Sequence, residues 1–211
     1  MTSRYSDVVP DLRASYDRGA ARRDSKAKQP FKIDERAAFL DRLQAVGAET
    51  LLEIGAGTGQ DSVFFADEGL DVVAVDLSPA MVERCRAKGL RAYARDFLHL
   101  GFDPASFDAV YAMNCLLHVP DADLAEVLLA VRTVLKPGGL FFIGCWGGSG
   151  QEGVVTEDHQ VPPRFFAFRT DAQIFEFARQ AFEVVDFHAV DHEGDHFQSL
   201  TLVAPVPAGR S

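Results

Sequence analysis

The feature that most constrains this chain is a short apolar run that ends in an acid and leads into three glycines at alternate positions. The run reads Leu-Leu-Glu-Ile-Gly-Ala-Gly-Thr-Gly-Gln-Asp over residues 51–61, with Glu53 two residues before Gly55. It predicts a strand, a tight turn and the start of a helix. Such a turn exposes backbone N–H groups and lets a ligand approach without meeting a Cβ atom. We therefore expect a ligand-binding turn directly after the first strand.

Strand and helix signals alternate from Thr50 onward. A capping box at Thr170 and Gln173 begins the last helix, and a hairpin at 182–190 and 197–204 follows it. The strands predicted before that helix lie at Thr50–Ile54, 72–75, Arg91–Ala94, Phe107–Met113 and 140–145. Interleaved strands and helices imply a parallel sheet with right-handed crossovers, to which the hairpin adds an antiparallel strand.

Polar residues stand at the ends of four predicted strands. They are Glu53, Asp76, Asp96 and Asn114. In parallel sheets ligands bind beyond the carboxyl ends of the strands, where the strand order reverses. Asp76 follows the glycine turn by about 20 residues, the spacing at which an acid can accept hydrogen bonds from both ribose hydroxyls. That ribose is common to S-adenosylmethionine (SAM) and to nicotinamide dinucleotides, so Asp76 alone does not separate the two.

The spacing of the glycines differs from the dinucleotide fingerprint G-x-G-x-x-G. Gly55-x-Gly57-x-Gly59, preceded by Glu53, resembles motif I of the class I SAM-dependent methyltransferases. Residues 94–97, 106–120 and 131–139 are similar to later motifs of that family and occur in the right order. The resemblance implies a Rossmann-like, doubly wound α/β fold with a seven-stranded, mostly parallel sheet and an antiparallel C-terminal strand. It also implies SAM as the cofactor and a methyltransferase of the small-molecule type.

The same resemblance implies a set of cofactor-binding residues. In the family the glycine turn passes beside the methionine portion of SAM, an acid like Asp96 accepts from the adenine amino group, and the backbone after it meets the ring. Lys32 and Arg36, with Tyr16, are candidates to meet the SAM carboxylate, the alternative being a solvated helix face. The full set is Tyr16, Glu53, Gly55, Ala56, Gly57, Gly59, Asp61, Asp76, Leu77, Met81, Asp96, Phe97 and Asn114.

The acceptor side is predicted in the long connection at residues 146–170. Long connections in compact domains are usually functional or disordered, and this one mixes aromatic and ionisable side chains. His159 is the first candidate for a base that removes a proton from the acceptor, and His118 the second. A supporting or capping role is the alternative for His118. The predicted substrate-binding residues are Trp146, Arg164, Phe166 and Arg169.

The predicted domain organisation has two parts. Residues 1–30 are polar and weakly periodic, which predicts a flexible or partly helical lid. Residues 31–211 form the SAM-dependent methyltransferase domain, with the acceptor-binding loop at 146–170.

The predicted function is transfer of the SAM methyl group to an oxygen or nitrogen nucleophile of a small molecule. The sulfonium already makes the methyl group electrophilic, so the protein mainly has to align the nucleophile and exclude water. A protein or RNA methyltransferase, a nicotinamide-dependent oxidoreductase and a SAM-binding protein without catalysis remain alternatives. The net charge of −10 argues against nucleic acid, although residues 1–36 carry nine Lys and Arg against six Asp and Glu.

The remaining features predict neither a metal site nor a membrane segment. His188, His192 and His196 fall in the predicted hairpin, where strands would scatter them. The three cysteines are expected to be buried free thiols. No run approaches the ~20 apolar residues of a membrane span, so we expect a cytoplasmic protein, a monomer or a homodimer.

Overall fold

Nine strands and six α-helices alternate along residues 3–207, the part of the chain that the computed structural model describes. A 3₁₀ helix, Leu116–His118, precedes α5. Residues 1–2 of the predicted lid and residues 208–211 of the predicted methyltransferase domain lie outside the described residues. The elements in chain order are α1 Tyr5–Asp24, α2 Pro30–Ala45, β1 Thr50–Ile54, α3 Gln60–Asp67, β2 Asp71–Asp76, α4 Pro79–Ala87, β3 Arg91–Ala94, β4 Phe107–Met113, α5 Asp121–Val134, β5 Leu135–Gly147, β6 Gln151–Val154, β7 Phe165–Phe168, α6 Asp171–Arg179, β8 Glu183–His192 and β9 Asp195–Val203.

Seven of the strands form one sheet in the order β3-β2-β1-β4-β5-β9-β8. Neighbours from β3 to β5 pair in parallel, whereas β9 is antiparallel to both β5 and β8. The strand order reverses between β1 and β4, so the carboxyl ends of β1, β2 and β4 share the edge where such sheets bind ligands. The predicted fold class is confirmed.

One face of the sheet is held by an aromatic cluster. Tyr111 of β4 stacks on Phe142 of β5, with ring centroids 4.9 Å apart and 13° between the planes. Phe39 of α2 and Phe65 of α3 contact the Tyr111 ring at 5.8 and 5.0 Å. Large buried aromatic side chains supply much of the energy of a core. The cluster therefore fixes α2 and α3 on this face, and with α3 the position of the turn after β1.

The connection between β5 and α6 is more ordered than a plain loop. It contains a second sheet in which β6 and β7 pair in antiparallel register, Gln151 opposite Phe168 and Val154 opposite Phe165. Phe165 and Ala167 face the core and alternate with half-buried residues, which is the period of a strand. The sequence analysis missed this hairpin because a long polar segment separates its two short strands.

The lead segment contains a helix of 20 residues, whereas the sequence predicted a segment that is flexible or only partly helical. Its buried positions follow a spacing of three and four residues, but two of them are Ser15 and Gly19, which hides the pattern in the sequence. At its start, the Tyr5 N–H donates to the Asp123 carboxylate of α5 at 2.6 Å, and Arg4 pairs with the same group. Asp123 thus anchors α1 to α5, while the mobility of the segment stays a prediction.

We predict that Asp123→Ala frees the start of α1. The substitution leaves the buried Tyr5 N–H without its acceptor, so unfolding free energy should fall by about 1–3 kcal/mol. Hydrogen exchange should become faster over the first turns of α1 and remain unchanged in β1 and β4. Asp11→Ala is the matched control, because Asp11 is an exposed acid of α1. Wild-type exchange in the Asp123 variant would contradict the anchoring role.

Candidate active site

The glycine turn after β1 has three residues with left-handed backbone angles. The φ angles of Gly55, Gly57 and Gly59 are +66°, +56° and +80°. A Cβ on Gly55 would collide with the Cys115 side chain, and one on Gly59 would lie 2.7 Å from Leu90. A Cβ on Gly57 would meet no atom within 4 Å. The first and third glycines therefore allow close packing, whereas the middle one faces open space that a ligand can enter.

Asp76 faces the same turn from the end of β2. Its carboxylate accepts from the Gly57 N–H at 2.7 Å and from the Ser78 N–H at 2.9 Å. Burial raises the pKa of Asp76 to about 6, against those two hydrogen bonds, which lower it. Leu77 and Met81 are buried around it. The predicted pair of glycine turn and acid is thus brought together at the switch point of the sheet.

The acids Glu53 and Asp61 serve contacts within the protein. Glu53 is buried and accepts from the Ser62 hydroxyl, and burial beside Asp61 raises its pKa. Asp61 accepts from Arg36 at 2.9 Å and from Lys28. The sequence analysis did not single out Lys28. Together these contacts hold α3, and with it the glycine turn, against the segment that joins α1 to α2.

Asp96 and Phe97 lie beyond β3. Asp96 caps its own turn, because it accepts from the N–H groups of Leu98 and His99 at 2.9 and 3.0 Å. The Phe97 ring stacks on Tyr5 of α1 with 5.9 Å between centroids and 15° between planes. The sequence analysis did not include Tyr5.

Two buried polar atoms at this edge lack hydrogen-bond partners among the described residues. One is Oδ1 of Asn114, whose φ angle is +54°, and the other is the hydroxyl of Tyr5. Buried polar atoms are rarely left unpaired. Both atoms are therefore available to the polar groups of a ligand, which fits the predicted adenosine-type cofactor.

His118 connects this edge to the lid. Its Nδ1 lies 2.7 Å from the Phe165 carbonyl oxygen, which can only accept, so Nδ1 carries the proton. Burial lowers the pKa of His118 to about 3, which keeps the ring neutral. Its Nε2 therefore accepts from the Tyr16 hydroxyl at 2.6 Å. Arg164 donates in turn to the Tyr16 oxygen at 3.2 Å.

The connection between β6 and β7 contacts α1 and covers the site. Arg164 binds Asp158 through two hydrogen bonds of 2.7 and 3.0 Å. Burial opposes ionisation of Asp158, but these bonds hold its pKa at about 2. Arg18 of α1 donates to the Val161 carbonyl at 2.9 Å. Side chains of α1 and of the β6–β7 connection thus hold the two segments together, and the lid role of residues 1–30 stays a prediction.

Arg169 supports the site from behind. It is buried, donates to the carbonyls of Leu116 and Val119 at 3.3 and 2.5 Å, and pairs with Asp121 at 2.7 Å. These contacts position the 3₁₀ helix that carries His118. The contacts of Arg169 are thus with the protein, and its substrate-binding role stays a prediction.

The other predicted acceptor residues lie in two places. The Phe166 ring lies 4.8 Å from the His118 ring and has the Arg164 guanidinium over it at 4.9 Å. Trp146 is at the end of β5, with Lys32 over its ring at 4.6 Å. His159 is exposed, and its side chain makes no hydrogen bond with the described residues. Its role as the base stays a prediction.

The histidines of the hairpin have separate partners. Nε2 of His188 lies 2.7 Å from Glu35, and Nε2 of His196 lies 2.8 Å from Asp171. Within residues 3–207, no three His, Cys, Asp or Glu side chains are grouped as metal ligands. The cysteines at 85, 115 and 145 are buried and free, as predicted. Among the described helices, none combines the length and the apolar character that crossing a membrane requires.

Comparison of sequences places a known domain over the first part of the sheet. A profile of the family described as "Methyltransferase domain" matches residues 51–139. The ubiquinone biosynthesis O-methyltransferase of Xylella fastidiosa (strain 9a5c) is 33% identical over 125 residues, 56% of this chain and 48% of that protein. Its namesake from Xanthomonas campestris pv. campestris (strain B100) is 35% identical over 124 residues, 56% and 49% of the two chains. The chain spans about half the length of these relatives.

Solved structures share the fold at low sequence identity. The 1,6-didemethyltoxoflavin-N1-methyltransferase of Burkholderia thailandensis, with 1,6-didemethyltoxoflavin and S-adenosylhomocysteine (SAH) bound, has a TM-score of 0.79 at 22% identity, covering 97% of this chain and 92% of that one. The [4+2]-cyclase SpnF has a TM-score of 0.64 at 19% identity, covering 75% of each chain. One fold thus hosts different chemistries, and the side chains of the site must carry the functional argument.

We predict that His118 stays a neutral, Nδ1-protonated imidazole down to pH 5. Burial lowers its pKa to about 3, whereas the hydrogen bond that His196 donates to the Asp171 carboxylate raises the pKa of His196 above its usual value. Imidazole ¹⁵N–¹H spectra recorded across pH 5–8 should show titration of His196 and none of His118. The variants His118→Gln and His196→Gln assign the two signals. A His118 signal that titrates near pH 6.5 would show that the ring is not sealed from water.

Proposed function

We propose that this chain, which carries a methyltransferase domain of the class I SAM-dependent family, transfers the methyl group of SAM to an oxygen or nitrogen atom of a small molecule. The domain match, the curated relatives and the shared fold confirm the family predicted from the sequence, whose cofactor is SAM. One observation carries the proposal. The open side of Gly57 and the buried Asp76 carboxylate, 2.7 Å from the Gly57 N–H, meet at the switch point of the sheet.

The residues of this edge fit the parts of the cofactor. Asp76 would accept from the ribose hydroxyls, and the glycine turn would hold the methionine portion. Asp96, Phe97 and Tyr5 would lie around the adenine. When bound, SAM supplies an electrophilic methyl group. The protein then has to hold the acceptor atom in line with that methyl group and exclude water.

A small acceptor suits the closed lid. α1 covers the site through contacts of Tyr16 with His118 and of Arg18 with Val161. A macromolecular acceptor would have to displace these contacts. Lys28 and Arg36 are turned inward toward Asp61, so these two cations are withdrawn from any RNA surface, whereas the basic residues of α1 are mostly exposed.

Tyr16 and His118 form the proposed proton acceptor. The neutral Nε2 of His118 is the atom that takes the proton, and the Tyr16 hydroxyl of α1 donates a hydrogen bond to it. An acceptor O–H or N–H that takes the place of the Tyr16 hydroxyl, or binds to it, can pass its proton to Nε2. The hydrogen bond from Nδ1 to the Phe165 carbonyl orients the ring, and because the pKa of His118 is about 3 the imidazole passes the proton on and does not keep it.

The cytoplasmic location, the lid role of residues 1–30 and the choice between monomer and homodimer stay predictions. Slower hydrogen exchange over α1 on addition of SAH would support the lid.

Calorimetry with SAH and NADH tests the cofactor. We expect SAH to bind and NADH not to bind. Ribose hydroxyls donate much more strongly to an ionised carboxylate than to a protonated one, and the pKa of Asp76 is about 6, so SAH affinity should fall by up to ten-fold per pH unit below pH 6. Asp76→Asn should weaken SAH binding by about 1–3 kcal/mol and remove this pH dependence. Asp71→Asn, at the other end of the same strand, is the control. NADH binding without SAH binding would overturn the proposal.

Turnover tests the proton acceptor. A screen of pooled metabolites with SAM, read as a mass gain of one methylene, first identifies an acceptor. His118→Ala should then lower kcat by ~10²–10⁴-fold with SAH affinity nearly unchanged. Tyr16→Phe keeps the ring and removes only the hydroxyl. It should lower kcat if Tyr16 relays the proton to His118, and leave kcat unchanged if the ring only lines the pocket. If His159→Ala gives the large loss and His118→Ala does not, the exposed histidine is the base.

A further inference from the structure

Lys32 of α2 lies in a box of aromatic rings that the proposed reaction does not use. Its Nζ lies over the ring of Trp146 at 4.6 Å and over the rings of Phe31 and Phe197 at 5.4 Å each. The His192 ring lies against Phe31 at 4.9 Å. These four rings are called the aromatic box here. Lys32 is only 7% exposed, so the box removes most of the side chain from water.

The Lys32 ammonium has no anionic partner within residues 3–207. It makes no hydrogen bond or ion pair there, and Asp61, the carboxylate that acts on its pKa, is already paired with Lys28 and Arg36. This acid is therefore shared by two other cations. Cation–π contacts offset part of the cost of burying the Lys32 side chain, but no described residue accepts from the N–H donors of the ammonium, which are left to solvent or to a ligand. Such a site favours an anion.

Most of the charged groups near Lys32 disfavour its charged form. Burial lowers the pKa of Lys32 to about 8, and repulsion from Lys28 and Lys26 adds to the effect. Arg23 also lowers the pKa of Lys32 by repulsion, whereas Asp61 of α3 raises it. The box residue His192 is contributed by β8. An anion beside the ammonium would raise this pKa again.

The aromatic box lies along the same edge of the sheet as the proposed cofactor site, but farther from Asp76 than the glycine turn. From Asp76 on β2, the edge runs past the glycine turn on β1 and Asn114 on β4 to Trp146 on β5. Three strand spacings separate β2 from β5, about 14 Å. Lys28 and Arg36, which bind Asp61, lie nearer the turn. The methionine carboxylate of SAM therefore has those two cations at hand, and Lys32 lies farther along toward the acceptor side.

We propose that Lys32 binds a carboxylate of the methyl acceptor, so that the acceptor is a small organic acid whose apolar part packs against the aromatic box. This assignment rests on the proposed function and adds the substrate class to it. Lys32 is then a specificity-determining residue that distinguishes an acid from its neutral amide.

Benzoate and benzamide are a matched pair of probes, because they differ mainly in charge. Trp146 is the only tryptophan of the chain, so intrinsic fluorescence reports on the box directly. We expect saturable binding of benzoate at pH 7 and binding of benzamide that is roughly ten-fold weaker or absent, the scale of one charge-assisted hydrogen bond. Benzoate affinity should fall as pH rises above 8, because Lys32 then loses its proton.

Two variants separate the box from general charge. Lys32→Met removes the ammonium and keeps an unbranched apolar side chain, so the fold should be retained; a thermal melt checks this. It should lose the preference for benzoate. Lys26→Met removes one exposed positive charge of the same segment and should bind benzoate like the wild type. Lys32→Arg keeps the charge and should restore part of the preference.

The SAH affinity of each variant, measured by calorimetry, separates the two possible carboxylates. Unchanged SAH affinity in Lys32→Met, together with lost benzoate binding, supports the proposal. Equal loss of both would assign Lys32 to the cofactor carboxylate and overturn it. Wild-type benzoate binding by Lys32→Met, or no binding of benzoate to the wild type, would also overturn it. Absence of SAH binding to the wild type would refute the proposed function, while the benzoate titration would still show whether Lys32 binds carboxylates.

Discussion

The hydrogen bond from the Tyr16 hydroxyl to Nε2 of His118 is the contact on which the geometry of the site depends. It joins α1 to the edge of the sheet across 102 residues of sequence, and it exists in this form only while the imidazole is neutral. Protonation would turn Nε2 into a donor and leave the phenol to accept from both His118 and Arg164. Burial keeps the ring neutral, and the packing of α1 against it contributes to that burial. The position of α1 and the protonation state of His118 therefore support each other.

Buried groups with displaced pKa values are concentrated at one edge of the molecule. Asp76 and Glu53 have raised pKa values, and His118 and Lys32 have lowered ones, in each case chiefly because burial disfavours the charged form. Such groups cost stability when no partner offsets them, so a fold retains them where a ligand does. Asp76 and Lys32 lie on opposite sides of the β1–β4 switch point, which suits one ligand on each side.

Local patterns in the sequence predicted the sheet, the capping box of Thr170 and the glycine turn with Asp76, because each depends on neighbours within a few residues or on one strand–helix unit. The β6–β7 hairpin and the role of Arg169 depend on tertiary contacts instead. Arg164 reaches Tyr16 across 148 residues, a pairing that no local pattern encodes. Tyr5 was missed for the same reason: its partners lie on α5 and beyond β3.

The residues that match the methyltransferase profile divide the site into two parts. Residues 51–139 contain the glycine turn, Asp76 and His118, which are the proposed cofactor residues and the proton acceptor. Tyr16, Lys32 and the β6–β7 segment lie outside the match, and they belong to the proposed lid and the proposed acceptor wall. Similarity within the matched part therefore carries information about the cofactor and little about the acceptor. The nature of the acceptor has to be argued from contacts of the unmatched segments, and the buried ammonium of Lys32 is the strongest chemical constraint among them.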